Sequence, residues 1–383
     1  MIKVAINASR ARSGGAISHI VGILTEFDFV RNSDFEIHVW SYHELLIKLP
    51  TCSNIHLHVC NASDKSIFTQ LFWEKFVFIN ELNKYNCDIL LNLDAGSVAR
   101  YKKMVTMSRD MLSYEPGEMD RFPFSKEKLR LIFLKYVQNA SLRASHGVIF
   151  LTHYAGKMIQ QSCGKLRNVE YISHGVGKEF TIVKKNEYVN LDLQNPVNVL
   201  YVSNIAPYKH QWNVVRGIAH LRNKGYNVRL TLTGGGNIDA LTGSQKKLDD
   251  ALQECDPNGS FVYTLGYVNH YDLPQILGSA DIFVFASSCE NMPNTLIEAM
   301  SIGLPIACSD RGPMPEVLKD AGVYFNPDNP ITIANAIETY LKDEVLMVNN
   351  AKKAKQLSGT YSWARCSNET FTFLRKVYSI NKK

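Results

Sequence analysis

The chain has no Asp-x-Asp pair, no Cys-x-x-Cys pair and no uninterrupted apolar run of bilayer-spanning length, and each absence removes a class of function. Without D-x-D, a common pairing of oxygen ligands for Mg²⁺ or Mn²⁺ is missing. The eight cysteines are scattered, which fits buried thiols in a reducing compartment better than disulfides or a zinc site. A membrane-spanning helix needs about eighteen or more consecutive apolar residues, so none is expected. The opening stretch, Met1 to Asn7, reads as a buried strand and not as a cleavable leader, so a cytoplasmic location is expected. The following Ser13-Gly14-Gly15-Ala16-Ile17-Ser18 does not supply G-x-G-x-x-G, which argues against a dinucleotide-dependent dehydrogenase. Short-period repeats are absent, and no nucleic-acid partner is expected.

What is present is enough sequence, 383 residues, for two domains with separate cores. Short apolar runs alternate with longer amphipathic stretches, the pattern of α/β architecture with mostly parallel sheets. In the first half, strands are expected at 2–7, 36–41, 55–60, 88–92, 102–107 and 147–151, with helical pattern between them, as in Ile67 to Phe78. Residues 178–196 are polar and end at Pro196, which places a linker there. The alternation restarts at Val197, with strands expected at 197–202, 227–232, 261–264, 282–286, 305–308 and 322–325. The expected domains are therefore 1–178 and 197–360, joined by 179–196 and followed by a helical tail, 361–383. Two such open sheets would face each other across a cleft, with ligands at the carboxyl ends of the strands.

The net charge of +6 is unevenly placed: 24 Lys and Arg stand against 17 Asp and Glu in residues 1–185, and 18 against 19 in the remainder. Part of the basic excess lies in Lys126 to Tyr136, where cations alternate with large apolar groups. A helix there could rest on anionic lipid headgroups. The commoner arrangement has one face in a core and solvated lysines on the other.

The most informative segment is Glu290-Asn291-Met292-Pro293-Asn294-Thr295-Leu296-Ile297-Glu298. Seven residues separate two carboxylates; the first follows the apolar run Ile282 to Ala286, and the second falls inside a helix opening near Pro293. A strand, a short loop and a helix N-terminus present backbone N–H groups and a positive dipole, which suits a phosphate. Carboxylates beside it could hold sugar and ribose hydroxyls.

This segment resembles the E-x7-E signature of retaining glycosyltransferases of the GT-B fold, specifically glycosyltransferase family 4. Tyr201 to His210, with Ser203, Asn204 and Lys209, is similar to the family's strand, loop and lysine. Thr233-Gly234-Gly235-Gly236 looks like its glycine turn, Phe261 to Val268 like its next strand, and Gly14-Gly15-Ala16 like its N-terminal glycine loop. The resemblance covers nearly the whole chain. It implies two Rossmann-like domains and a C-terminal helix that crosses back to the first.

The resemblance also implies roles. Lys209 would pair with the donor diphosphate and stabilise the charge that grows as the sugar leaves. Glu298 would hold the ribose hydroxyls and Glu290 the transferred sugar, while Asn291, Met292, Pro293, Asn294 and Thr295 would lie along the phosphates. Gly234, Gly235, Gly14 and Gly15 would let backbone approach the donor, although glycines equally serve a tight turn alone. Asn204 stands where many members carry arginine, and Asn291 where glycine is common. In the first domain Arg109 occupies the place of an expected histidine, so Arg109 or Asp110 would take over sugar contact. His174 matches a loop near the domain junction, with a structural role equally compatible.

The activity implied is metal-independent transfer of a hexose from a nucleotide-diphosphate sugar, GDP-mannose in the first place and a UDP-sugar in the second, with no catalytic cofactor. The acceptor would be a glycan or lipid-linked glycan, because the chain is similar to bacterial polysaccharide and O-antigen mannosyltransferases around Ser203 to Lys209 and Ser108 to Phe122. Peripheral contact with the cytoplasmic membrane face would follow. The alternatives are a sugar-nucleotide epimerase of the same fold and a non-catalytic two-lobed sugar- or nucleotide-binding protein.

Overall fold

The computed structural model describes residues 1–12, 14–62, 66–122, 126–183, 195–235 and 243–380. Most of the expected linker, and Gly236, lie outside the described residues. Two compact units are present: residues 1–114, 129–175 and 361–383 form one, and 115–128 with 176–360 form the other.

Among the described residues, the first unit holds seven strands: β1 (Ile2–Asn7), β2 (Phe35–Ser41), β3 (Ile55–Val59), β4 (Ile89–Asn92), β5 (Met104–Ser108), β6 (Gly147–Phe150) and β7 (Val169–Tyr171). They pair in parallel in the order β3-β2-β1-β4-β5-β6-β7. Val4, Ile6, Val39, Leu90, Leu91, Val105 and Ile149 are wholly buried, as expected of strands covered on both faces. The strand order reverses between β1 and β4, where Asn7 Nδ2 donates to Asn92 Oδ1 at 3.2 Å and to Ser97 Oγ at 3.2 Å. A doubly wound sheet opens a crevice at such a reversal.

The helix expected around Ile67 to Phe78 is not uniform. It runs Ile67–Phe72, widens into a π turn over Trp73–Val77, and resumes as Phe78–Lys84. The wide turn shifts the helical register. Glu74 is thereby fully buried while Lys75, Phe76 and Val77 stay exposed. Its carboxylate receives Arg10 Nε at 2.6 Å and the Val98 N–H at 2.9 Å, so the buried charge is paired and hydrogen-bonded.

The tail helix, Trp363–Ser379, belongs to this first unit, in keeping with its expected return. A Cβ on Gly22 would lie 2.3 Å from Trp363, and one on Gly147 would lie 2.7 Å from Val377, so both glycines admit the helix by lacking a side chain. Ser367 Oγ donates to Ile23 O at 2.7 Å.

The second unit holds six described strands: β8 (Val197–Val202), β9 (Val228–Thr233), β10 (Val262–Gly266), β11 (Ile282–Phe285), β12 (Ile306–Ser309) and β13 (Val323–Phe325). Their order is β10-β9-β8-β11-β12-β13, all parallel, with the reversal between β8 and β11. One core joins Val199, Tyr201, Leu230, Ile282 and Val284 to Val214, Val215 and Ile218 on the helix Gln211–Asn223 and to Ile333 and Ile337 on the helix Pro330–Lys342. Residues 115–128, assigned by sequence to the first domain, are grouped here: Gly117, at φ 79°, turns the chain into a 3₁₀ turn, Glu118–Arg121, whose charges pair with residues far along the sequence.

Candidate functional site

At the reversal of the second sheet, β8 and β11 release the two segments that the sequence singles out. After β8 the chain passes Ser203 and Asn204 into a 3₁₀ turn, Pro207–Lys209. The Tyr201 hydroxyl donates to Lys209 O at 2.7 Å and holds the turn down. Lys209 Nζ pairs with Glu290 Oε1, and the side chains retain only 12% and 17% exposure. The ammonium is thus held in place by a carboxylate 81 residues away, which no local pattern specifies.

From Glu290 the chain runs through buried Asn291, Met292 and Pro293 into the helix Asn294–Ile302, with Asn294 and Thr295 half-buried in its first turn. That turn carries no acidic residue, so the positive end of its dipole is not offset by its own side chains, while the Asn294, Leu296 and Ile297 N–H groups bond to Met292 O and Pro293 O. Gly303, at φ 89°, closes the helix in the left-handed conformation. Every residue from Leu296 to Ile302 is buried, and Glu298 is 9% exposed, so it is not a surface-helix glutamate. Its Oε1 lies 3.4 Å from His270 Nε2, while its buried Oε2 has no hydrogen-bond partner among the described residues. A buried carboxylate oxygen left in this state is costly, and a ligand hydroxyl would satisfy it.

Gly234 sits beside this group. Its φ is 121°, and a Cβ there would lie 2.2 Å from Ser203 O. Only glycine lets the end of β9 pass so close to the end of β8. Ser203 O and Oγ are both engaged by Gln211 Nε2 at 3.0 Å. A Cβ on Gly235 would lie 3.0 Å from Tyr267, so its demand is close packing as well.

Two contributors escape the sequence reading. His270 follows β10, and its pKa is raised by the hydrogen bond to Glu298 against the effect of burial, with Glu179 Oε1 3.9 Å from its other nitrogen. The second is a polar chain behind Lys209. Buried His210, at φ 50°, meets Ser288 Oγ at 2.9 Å, and Ser288 donates to Glu118 Oε1 at 2.7 Å. Glu118 pairs with Arg121 at 3.0 Å, and Arg121 with Asp328 at 3.0 Å. Burial, aided by Arg121, lowers the His210 pKa to about 4, so the ring is neutral near pH 7. With Ser288 committed to Glu118, His210 Nε2 carries the proton and donates. This chain fixes Lys209 from one side and the 287–290 loop from the other. The only sequence signal for it is adjacency to Lys209 and Glu290.

In the first unit, Arg109 and Asp110 follow β5, and they differ. Arg109 Nη2 lies 3.8 Å from Asp94 Oδ2, while buried Nε and Nη1 have no hydrogen-bond partner among the described residues. Burial lowers its pKa and Asp94 opposes that. Asp110 accepts from the Leu112 N–H and Gln138 Nε2, both at 3.1 Å, which ties it into its own turn. Burial raises its pKa against those bonds.

Gly14 and Gly15 open the helix Gly14–Thr25, and a Cβ on Gly14 would meet nothing within 4 Å, so packing does not demand glycine there. One turn on, His19 is fully buried with neither ring nitrogen hydrogen-bonded among the described residues. Its ring centre is 4.7 Å from that of His174 and 5.9 Å from that of Trp363. Burial, with lesser contributions from His174 and Arg109, holds its pKa well below the usual value, so it is a neutral imidazole. The first unit thus gathers Arg109, His19 and His174, and His19 was not anticipated.

Residues 184–357 match the family model of glycosyl transferases group 1. Over 137 residues the chain is 33% identical to the O-antigen chain mannosyltransferase B of Escherichia coli, covering 34% of this chain and 35% of that one. The match therefore spans about a third of that curated relative's length. The sucrose-phosphate synthase of Thermosynechococcus elongatus superposes with a TM-score of 0.77 at 16% identity, over 99% of this chain and 100% of that one. Anabaena HepE in complex with UDP and glucose superposes with a TM-score of 0.72 at 18% identity, over 99% and 100%. At such identities the likeness establishes the fold, which is GT-B with two Rossmann-like units.

Proposed function

We propose that this chain is a retaining glycosyltransferase of family 4 that moves a hexose from a nucleotide-diphosphate sugar to a hydroxyl of a growing surface glycan. The observation that carries the reading is Glu298: a buried carboxylate with one unsatisfied oxygen, on the helix whose N-terminus follows the Lys209–Glu290 pair. The two oxygens of Glu298 would accept from the two ribose hydroxyls. The diphosphate would lie against the first turn of Asn294–Ile302, with Ser203, Asn204, Gly234, Gly235 and the 291–295 backbone around it. Lys209 would then leave Glu290 for the phosphate, which frees Glu290 to accept from the sugar.

Transfer follows as front-face attack. The bond from the anomeric carbon to the phosphate oxygen breaks, the bond to the acceptor oxygen forms on the same face, and the departing phosphate takes the acceptor proton. Lys209 and the helix dipole stabilise the charge on the diphosphate, so no metal is called for. In the first unit Arg109, with His19 and His174, would serve sugar contact, and Asp110 would hold the turn.

GDP-mannose is the proposed donor, from the likeness to the E. coli mannosyltransferase, and a UDP-sugar is the rival, from the UDP bound to the Anabaena neighbour. The decisive experiment measures binding and hydrolysis of GDP-, UDP-, ADP- and dTDP-sugars in EDTA for the parent, Glu298→Ala and Lys209→Ala. One donor bound by the parent and lost by both variants supports the reading; no donor bound, or variants equal to the parent, sinks it.

A lipid-linked acceptor and peripheral contact with the cytoplasmic membrane face complete the proposal. Among the described residues no helix is long and apolar enough to cross a membrane. The helix Lys126–Ala144 buries Leu131 and Leu142 on one face, as the commoner arrangement has it, and also exposes Leu129, Ile132, Phe133 and Tyr136 beside Arg130. Phe68, Phe72, Phe76 and Lys75 are exposed around the π turn of the same unit. Apolar groups mixed with cations suit an anionic lipid surface. Flotation with phosphatidylglycerol vesicles, but not with phosphatidylcholine ones, is the expected result.

A further inference from the structure

At the free edge of the first sheet, far in sequence from every residue of the proposed donor site, β2 and β3 carry a cluster of side chains that the transfer reaction does not use. Parallel pairing sets His38 opposite His56 and Trp40 opposite His58. Side chains alternate along a strand, so Glu36, His38, His56 and His58 emerge on one face. Glu36 Oε1 lies 3.0 Å from His38 Nε2 and 3.6 Å from His56 Nε2. One ligand atom from each of these three residues lies within 4.8 Å of the others.

We infer that Glu36, His38 and His56 form a binding site for a borderline divalent transition ion, Zn²⁺ in the first place, that clamps the edge strand β3 to β2. Two imidazole nitrogens and a carboxylate oxygen are the donor set Zn²⁺ accepts in sites that keep a fourth position for water. With metal–ligand bonds of about 2.0–2.1 Å, ligand atoms around a tetrahedral ion stand about 3.3 Å apart. The separations from Glu36 bracket that value. His56, with a side chain 44% exposed, has the freedom to close the remaining gap.

The surroundings hold the ligands in place. His38 is buried, and its ring stacks 4.7 Å from His56 and 5.2 Å from His58. His38 Nδ1 lies 2.9 Å from His58 Nε2. An ion on His38 Nε2 requires the tautomer protonated at Nδ1, and His58 Nε2 stands where it can accept that proton's hydrogen bond. Lys3 Nζ now pairs with Glu36 Oε1 at 3.1 Å and is partly exposed, so an ion would take its place while Lys3 turned to solvent. Nitrogen-rich donors disfavour Mg²⁺ and Ca²⁺, which prefer oxygen ligands.

The test uses untagged full-length chain stripped with EDTA, titrated with Zn²⁺ by calorimetry and with Co²⁺ by visible absorption. Expected are one ion bound per chain, a tetrahedral Co²⁺ spectrum, a raised melting temperature and no response to Mg²⁺. His56→Ala, which removes a ligand, should lose binding by about a hundredfold or more, and His58→Ala, which removes the supporting hydrogen bond and a ring stacked on His38 and Trp40, should lose less, about tenfold. His43→Ala, an exposed histidine outside the cluster, should bind as the parent does. Absence of saturable binding in the parent, or His56→Ala binding as tightly as the parent, overturns the inference. Circular dichroism of His56→Ala guards against misfolding. Its nucleotide-sugar binding should be unchanged, so this inference and the transferase reading can fail separately.

Discussion

In the second unit the charged groups that the sequence singles out come from two short stretches, Ser203 to Lys209 and Glu290 to Glu298, with His270 and Glu118 joining them from elsewhere. In the first unit Arg109, His19 and His174 come from three separate elements. Each set lies near the end of its own sheet, yet only the first leaves a fingerprint in the sequence. When a phosphate is received by one loop and one helix N-terminus, the spacing of residues is dictated by local backbone geometry. When side chains are brought together from separate elements, as Arg109, His19 and His174 are, no spacing between them is preserved. The arginine standing where histidine was expected illustrates this, since two imidazoles, His19 on a helix and His174 on a remote loop, meet in the same unit.

The largest expected effect separates the units by stability. Glu74→Ala leaves the half-buried Arg10 guanidinium and the Val98 N–H without their shared carboxylate and should cost the first unit about 3 kcal/mol, read as an earlier melting transition. The second unit's melting should be unaffected; an unchanged melting curve would mean that the π turn does not depend on this pair. Next comes Glu298→Ala, which removes hydrogen bonds to a charged group at about 1.5–3 kcal/mol each. Donor affinity should fall by about a hundredfold with little change in melting temperature, measured by calorimetry. If Arg109→Ala abolished donor binding as completely while Glu298→Ala did not, the assignment of donor and sugar-side roles to the two units would be reversed.

A smaller change, about 1–3 kcal/mol, is expected for Gly234→Ala, because a side chain meets both a positive φ and the Ser203 carbonyl. Gly14→Ala, with open space around it, should be nearly neutral in stability. Equal melting temperatures for the two variants would contradict the close approach of β8 and β9.

The smallest effect is pH-dependent. His270 has a raised pKa when folded, through its bond to Glu298, so its contribution to stability is fully present below the unfolded value near 6.5 and is lost as pH rises through the folded value. The side chain is 46% exposed, so solvent screening limits this to less than about 1 kcal/mol. His270→Ala should therefore lower the melting temperature more at pH 6 than at pH 8. A loss that is equal at both values would remove His270 from the Glu298 environment.

Much of the architecture was legible because buried parallel strands are short apolar runs separated by amphipathic stretches. Every expected strand is present within a few residues of its predicted limits, from Ile2–Asn7 to Val323–Phe325. β7, Val169–Tyr171, was not anticipated: it is a three-residue edge strand with no fully buried residue, so it carries little apolar signal. The π turn was hidden because periodicity does not register one added residue per turn, and the Glu74 it buries pairs with Arg10 across 64 positions.

By itself, the sequence determined the two sheets, the helix that opens after Pro293 and the presence of Lys209, Glu290 and Glu298 in the segments that leave β8 and β11. These follow from local rules: apolar periodicity, glycine where the chain must turn, and a helix N-terminus after a strand. Only the tertiary structure decided that Lys209 is held by Glu290, that Glu298 is buried with one oxygen unsatisfied, that residues 115–128 pack with the second unit, and that His38 and His56 meet beside Glu36. Those contacts join residues dozens of positions apart, and their distances depend on how strands and helices pack, which no local pattern records.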